Sequence, residues 1–279
     1  MPAEVDFLGP FAESQPDKVA LIEGERRLSF AELDAMANRY GNVLAELGVS
    51  SGQKVIWVGQ NSSEVVALTH ASRKVGAVSV PMNYRLTGEE AAYVIDNSDA
   101  VAVLFDPEQT AQLDGIQDRC PQVRRWLAFR LGDAKVPDWA DSLDDLAAGA
   151  PESAPIPAGD DPSGGSTMIY TSGTTGKPKG TVRRAPDPAV GAALVALIGW
   201  IPEDVYLTTG PLYHSGPLGF MGVVQRLGGA VVVQRHFDPR QWLELVQEHR
   251  VTTTFSAPTP VRRVLDLGPE VIRGYDTSS

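Results

Sequence analysis

Residues 171–180 read Thr171-Ser172-Gly173-Thr174-Thr175-Gly176-Lys177-Pro178-Lys179-Gly180, inside the longer run MIYTSGTTGKPKGTVRR at 168–184. The β-prone segment Thr167 to Thr171 enters it and a basic run, with Arg183 and Arg184, leaves it. Glycines expose backbone N–H groups, and Ser and Thr hydroxyls add donors, so the segment can wrap an anion. Lys177 and Lys179 supply positive charge in a stretch free of acids, which suits a polyphosphate. The Walker pattern G-x-x-x-x-G-K-[ST] does not fit. Gly173 and Gly176 are too close, and Pro178 stands where a magnesium-binding hydroxyl is needed. Strand-like residues on both sides predict a loop between strands, not the start of a helix.

Outward from the loop, patterns of period two and period 3.6 alternate. A hairpin is expected around Glu23-Gly24-Glu25. Ser29 with Glu32 forms a capping-box pattern, and an apolar stripe from Leu33 to Leu47 follows it to Gly48. Strands are expected at Lys54 to Val58, Ala77 to Val80 and Ala100 to Phe105. Helices are expected from Asn61 to about Gly76, after Thr87 with its Glu90, and from Pro107 to Arg119. Beyond the loop come an apolar helix from Ala189 and strands at Val205 to Thr208 and Ala230 to Val233. A helix capped by Asp238 with Pro239 and a strand at Thr252 to Phe255 complete the pattern.

This rhythm predicts an α/β protein with mostly parallel sheets flanked by helices. Residues 149–165, GAPESAPIPAGDDPSGG, replace apolar residues with proline, glycine and acids, and read as a surface linker. The expected division is a first α/β region at 1–148 and a second at 166–279 that carries the loop.

The chain has 279 residues, 43% hydrophobic, enough for a substantial core, and a formal charge of −11. That balance argues against a nucleic-acid partner. The apolar run Ala189 to Ile201 is too short to span a bilayer and reads as a buried helix, so no stable membrane insertion is expected. The lone Cys120 reads as a packed side chain in a reducing, cytoplasmic setting.

Tyr170 to Gly180 resembles, almost letter for letter, the phosphate-loop signature of the adenylate-forming enzymes: acyl- and aryl-CoA synthetases, adenylation domains of peptide synthetases, and luciferase. "DKVALIEGERRLSFAELD", "GAVSVPMNYRLTGEEAAYVIDNSDAVAVLF", "PLYHSGPLG" and "FSAPTPVRRVLD" are similar to further segments of that family in the same order. The resemblance implies the large N-terminal domain of such an enzyme, in which ATP activates a small carboxylic acid to an acyl-adenylate that passes to coenzyme A, with Mg2+ assisting. It implies that Thr171, Ser172, Gly173, Thr174, Thr175, Gly176 and Lys177 bind ATP phosphates. His214 matches a position beside the reacting carboxylate. Gly216 to Val224 and Ser256 to Thr259 match its acid pocket. His70, His236 and His249 read as structural.

The family's adenine loop, ribose-binding Asp, magnesium-binding Glu and catalytic Lys have no counterpart in the 279 residues. The chain is therefore expected to be a truncated portion, inactive alone, with self-association through its edge as a further expectation. Three readings follow. The first is an acyl-CoA synthetase-like protein, leaning to fatty or related acids because SGPLGFMGVV follows His214. The second is an adenylation domain that loads an aryl or amino acid onto a carrier protein. That option is weakened because LYHSGPLGFMG lacks an Asp. The third is a non-catalytic remnant that binds an anion or a partner.

Overall fold

The structure is a computed structural model and describes residues 6–171, 177–183 and 187–279. Among these, the strands in chain order are β1 (Val19–Glu23), β2 (Arg26–Ser29), β3 (Lys54–Val58), β4 (Val78–Met82), β5 (Ala100–Phe105) and β6 (Arg125–Ala128). They continue with β7 (Asp141–Ser142), β8 (Thr167–Thr171), β9 (Lys179–Arg183), β10 (Val205–Leu207), β11 (Ala230–Val232) and β12 (Thr253–Thr254). Two sheets result. One has the order β7-β6-β5-β3-β4-β8-β9, the other β12-β10-β11-β1-β2. Every pair is parallel except the hairpins β8–β9 and β1–β2.

The chain forms two compact units. The described residues of the first are Asp6, 34–60, 64–171 and 177–183; those of the second are 7–33, 61–63 and 187–279. This partition does not follow the linear division into 1–148 and 166–279. β8 pairs with β4 through Ser79↔Thr167, so the loop-bearing hairpin extends the first sheet. β1 pairs with β11, Leu21 opposite Val231, so the N-terminal hairpin belongs to the second sheet. Such a pairing across the length of the chain leaves no local pattern to read.

In the first unit, central strands covered on both faces read as continuous apolar runs. Ile56, Val58, Val80, Met82, Val103 and Phe105 form the core. The helix Gly88–Asn97 packs against it with Ala91, Ala92, Val94 and Ile95. Its capping box is complete: the Glu90 N–H donates to the Thr87 hydroxyl, and the Thr87 N–H donates to Glu90 Oε2 at 2.8 Å. Those bonds to Thr87 hold the Glu90 carboxyl below its usual range.

Cys120 is buried, and burial, with Asp96 adding to it, pushes its thiol up to about 11. It is an inert packed side chain, as its sequence context suggests. The connector 149–165 contains no helix or strand and is strapped along the helix Phe30–Glu46. Asn42 donates to the carbonyls of Pro151 and Ser153, each at 2.9 Å, and Asn38 donates to that of Glu152 at 2.7 Å.

Two local expectations differ from the structure. Pro107 to Arg119 is not one helix but a short helix, Thr110–Leu113, between two single 3-10 turns. Gly115 breaks it, with φ of +73° in the left-handed region. The apolar helix, Pro188–Ile198, is not buried. Val190 is 61% and Leu197 83% exposed. Apolar character all round records how much surface needs a partner, not that the described residues provide one. No helix of the described residues is long and apolar enough to cross a membrane.

In the second unit, Ile22, Leu207, Val232, Val246 and Val251 form a core cluster, with Trp242 packed beside it. Asp238 caps the helix Pro239–His249 by accepting from the N–H groups of Arg240 and Gln241.

Candidate functional site

The glycine- and hydroxyl-rich segment connects β8 to β9, as its flanking residues predict. Thr171 closes β8 opposite Lys179, and Tyr170 stands opposite Gly180. Ser172, Gly173, Thr174, Thr175 and Gly176 lie outside the described residues. Thr171 and Lys177, on either side of them, are exposed. β9 is the edge strand of its sheet and carries Lys179 and Arg183, so the strand leaving the segment is basic.

The helix Gly88–Asn97 supports both ends of the segment. On the exit side, the Tyr93 hydroxyl donates to the Pro178 carbonyl at 3.2 Å. The Lys177 ammonium lies over the Tyr93 ring, 4.9 Å from its centre. On the entry side, the Tyr170 hydroxyl donates to Asn97 Oδ1 at 2.9 Å. Burial, with Tyr93 and Asp99 adding to it, pushes the Tyr170 phenol well up, so it remains a neutral donor. Tyr93 and Asn97 are four residues apart on one helical face. Sequence reading placed them in a helix but assigned them no role; the i, i+4 spacing of two hydrogen-bonding side chains was the available signal.

A recess of about 430 Å³ lies beside Tyr93, Lys177 and Pro178, and Glu89, Glu90 and Arg119 also line it. Gly180 has a steric reason to be glycine. An added Cβ there would stand 2.2 Å from Met168 Cε and 2.9 Å from the Tyr170 ring.

His214 belongs to the second unit, and its surroundings there are defined. It is the N-cap residue of the helix Ser215–Arg226, exposed, with its ring 4.3 Å from that of Tyr213. The turn before it is held by Asn61, which sequence reading took for a helix start; the helix itself is Ser63–Lys74. Asn61 Nδ2 donates to the carbonyls of Gly210 at 3.1 Å and Gln234 at 3.2 Å, and the Leu212 N–H donates to Asn61 Oδ1 at 2.8 Å.

The first of the two segments matched to an acid pocket, Gly216 to Val224, packs against Phe255, the residue just before the second. A Cβ on Gly216 would stand 2.4 Å from its ring, and Phe220 meets the same ring at 4.9 Å. Trp200 packs edge-on against Phe220 at 4.9 Å. His70 is buried. The imidazole of His249 is held below its usual range by burial. Among the described residues no group of three or more His, Cys, Asp or Glu converges on a metal-sized site.

The AMP-binding enzyme profile matches residues 10–279. A 3-hydroxybenzoate–CoA ligase from Aromatoleum sp. (strain CIB) is 32% identical over 291 residues, covering 99% of this chain and 52% of the relative. A long-chain-fatty-acid–CoA ligase from Mycobacterium tuberculosis (strain ATCC 25618 / H37Rv) is 29% identical over 237 residues, covering 83% of this chain and 44% of the relative. The crystal structure of the N-terminal domain of FACL13 from Mycobacterium tuberculosis superposes with a TM-score of 0.84 at 26% identity. It covers 98% of this chain and 66% of that one. The chain thus spans about half the length of the curated relatives it matches. A profile that runs from residue 10 to residue 279 and includes the segment between β8 and β9 shows that this chain belongs to the AMP-binding enzyme family.

Proposed function

We propose that this chain supplies the phosphate-binding and acid-binding parts of an ATP-dependent acid–CoA ligase. The observation that carries the reading is the β8–β9 hairpin, whose two ends are held on one helix with an exposed lysine at the exit. In this reading Thr171, Ser172, Gly173, Thr174, Thr175, Gly176 and Lys177 hold the β- and γ-phosphates of ATP. Charge neutralisation and positioning are the main contributions a protein makes to such transfers. Magnesium would share the phosphate charge, and no described residue is assigned to it. His214 would orient the acid by donating a ring N–H to its carboxylate. The carboxylate oxygen then attacks the α-phosphorus and pyrophosphate leaves; the sulfur of coenzyme A next attacks the acyl carbon of the adenylate, forming the thioester as AMP leaves and the thiol proton is lost.

The acid is proposed to be apolar beyond its carboxylate. Gly216 and Phe220, on the helix that begins after His214, form a small-residue and aromatic surface with Phe255. One relative's name specifies an aryl acid and another's a fatty acid at similar identity, so the class proposed is hydrophobic carboxylic acids of either kind. The lone buried Cys120 fits a reducing, cytoplasmic setting.

The test is calorimetric titration of the 279-residue protein with pyrophosphate and with Mg-ATP. Saturable binding of both, with each displacing the other, is the expected result. No saturable binding of either would overturn the phosphate-site reading.

A further inference from the structure

Lys177 is exposed, yet its ammonium is not left to wander: it sits over the face of Tyr93, 4.9 Å from the ring centre. The next residue's carbonyl is bonded by the hydroxyl of the same tyrosine at 3.2 Å. One side chain therefore fixes both the charge and the backbone where the segment rejoins β9. Tyr93 itself is anchored, because its helix buries Ala92, Val94 and Ile95 in the core of the first unit.

The chemistry of the platform matters. Glu89, Glu90 and Asp96 line the same recess, and a carboxylate ion pair would neutralise the ammonium. A π face attracts a cation through its quadrupole and carries no net charge. The lysine is thus held in place with its full charge still on offer to an incoming phosphate. The tyrosine hydroxyl also bonds the Pro178 carbonyl, so the backbone at the exit is restrained before any ligand arrives.

We propose that Tyr93 is a positioning residue for Lys177, preorganising the lysine for a phosphate-bearing ligand without touching that ligand. The proposal rests on the phosphate-site reading above, and it has a readout that is independent of that reading. Pyrophosphate affinity is measured by calorimetry for the full chain and for Tyr93→Leu, Tyr93→Phe, Lys177→Ala and the Tyr93→Leu/Lys177→Ala double variant. Tyr93→Leu, which removes both the ring and the hydroxyl, is expected to weaken binding about tenfold. Tyr93→Phe keeps the ring and is expected to lose about threefold. In the Lys177→Ala background, Tyr93→Leu is expected to change affinity by no more than about threefold, the share of the hydroxyl, because the effect of the ring runs through the lysine.

The second arm is the proton NMR shift of the Lys177 ε-methylene, assigned by its disappearance in Lys177→Ala. It should be displaced upfield by the Tyr93 ring and return to the ordinary lysine position in Tyr93→Leu. A tenfold loss that persists in the Lys177→Ala background, a Tyr93→Leu affinity equal to wild type, or an undisplaced methylene signal each overturns the proposal. If the wild-type protein binds no pyrophosphate, the phosphate-site reading fails. The displaced signal and its loss in Tyr93→Leu then still decide whether Tyr93 positions Lys177.

Discussion

Lys74→Ala is expected to destabilise the first unit by about 3–5 kcal/mol, the range for removing one partner of a buried ion pair. Lys74 is only 1% exposed, at the end of the helix Ser63–Lys74. Its ammonium meets Asp6 Oδ2 at 2.6 Å and Asp34 Oδ1 at 2.7 Å, and both carboxylates are themselves largely covered. Asp34 is further committed, because its other oxygen accepts from Asn38 Nδ2 at 2.8 Å. Removing the lysine leaves two like charges in a poorly solvated place, and their repulsion adds to the desolvation of each. Lys74→Met, which restores the packing of the stem but not the charge, should be nearly as unstable as Lys74→Ala. Adding Asp34→Asn to Lys74→Met should recover part of the loss. Urea denaturation followed by tryptophan fluorescence reads these differences, with Trp57, Trp126 and Trp139 as reporters in the first unit. A Lys74→Ala midpoint equal to wild type would mean that the carboxylates find solvent instead.

Asn61→Ala should be the next most damaging change, at about 3 kcal/mol, because a buried group deprived of its partner loses roughly 1–3 kcal/mol. Three backbone groups would lose theirs together: the carbonyls of Gly210 and Gln234 and the N–H of Leu212. Asn61→Asp should rescue little, because a carboxylate keeps the acceptor for Leu212 but presents negative charge to two carbonyl oxygens. The local signature is faster hydrogen exchange at the Leu212 amide, just ahead of Tyr213 and His214. Exchange as slow as in wild type, with stability within about 0.5 kcal/mol, would contradict the assigned role.

Asn61 also shows where reading a sequence stops. An Asn three residues before a Glu has the look of a helix cap, and a local rule assigns it to one. Its actual partners are about 150 and 173 residues away in sequence, and no spacing announces them. The features that were legible are those whose partners are close along the chain. Ser29 and Glu32 exchange bonds at 3.2 and 2.8 Å, Thr87 and Glu90 form their box, and Asp238 caps the helix begun by Pro239. The strand–segment–strand context of residues 171–179 was legible for the same reason, since β8 and β9 pair across a short connection.

What escaped is what depends on tertiary pairing. β1 joins β11, and the apolar helix Pro188–Ile198 stays exposed although its composition suggests burial. The support of the phosphate segment falls between these cases. Tyr93 and Asn97 share a helical face that periodicity predicts, but their bonds to Pro178 and Tyr170 appear only once that helix is packed beside the hairpin.

If the segment between β8 and β9 binds phosphate with Lys177 among its ligands, a phosphate-bearing ligand must sense the loss of that lysine. The direct measurement is the pyrophosphate dissociation constant of wild type against Lys177→Ala, by calorimetry at low and at physiological salt. A loss of about 1.5–3 kcal/mol is expected, the range for a hydrogen bond to a charged group, with the gap narrowing as salt rises. Equal affinity for the two proteins would contradict it and leave residues 171–180 as an exposed turn.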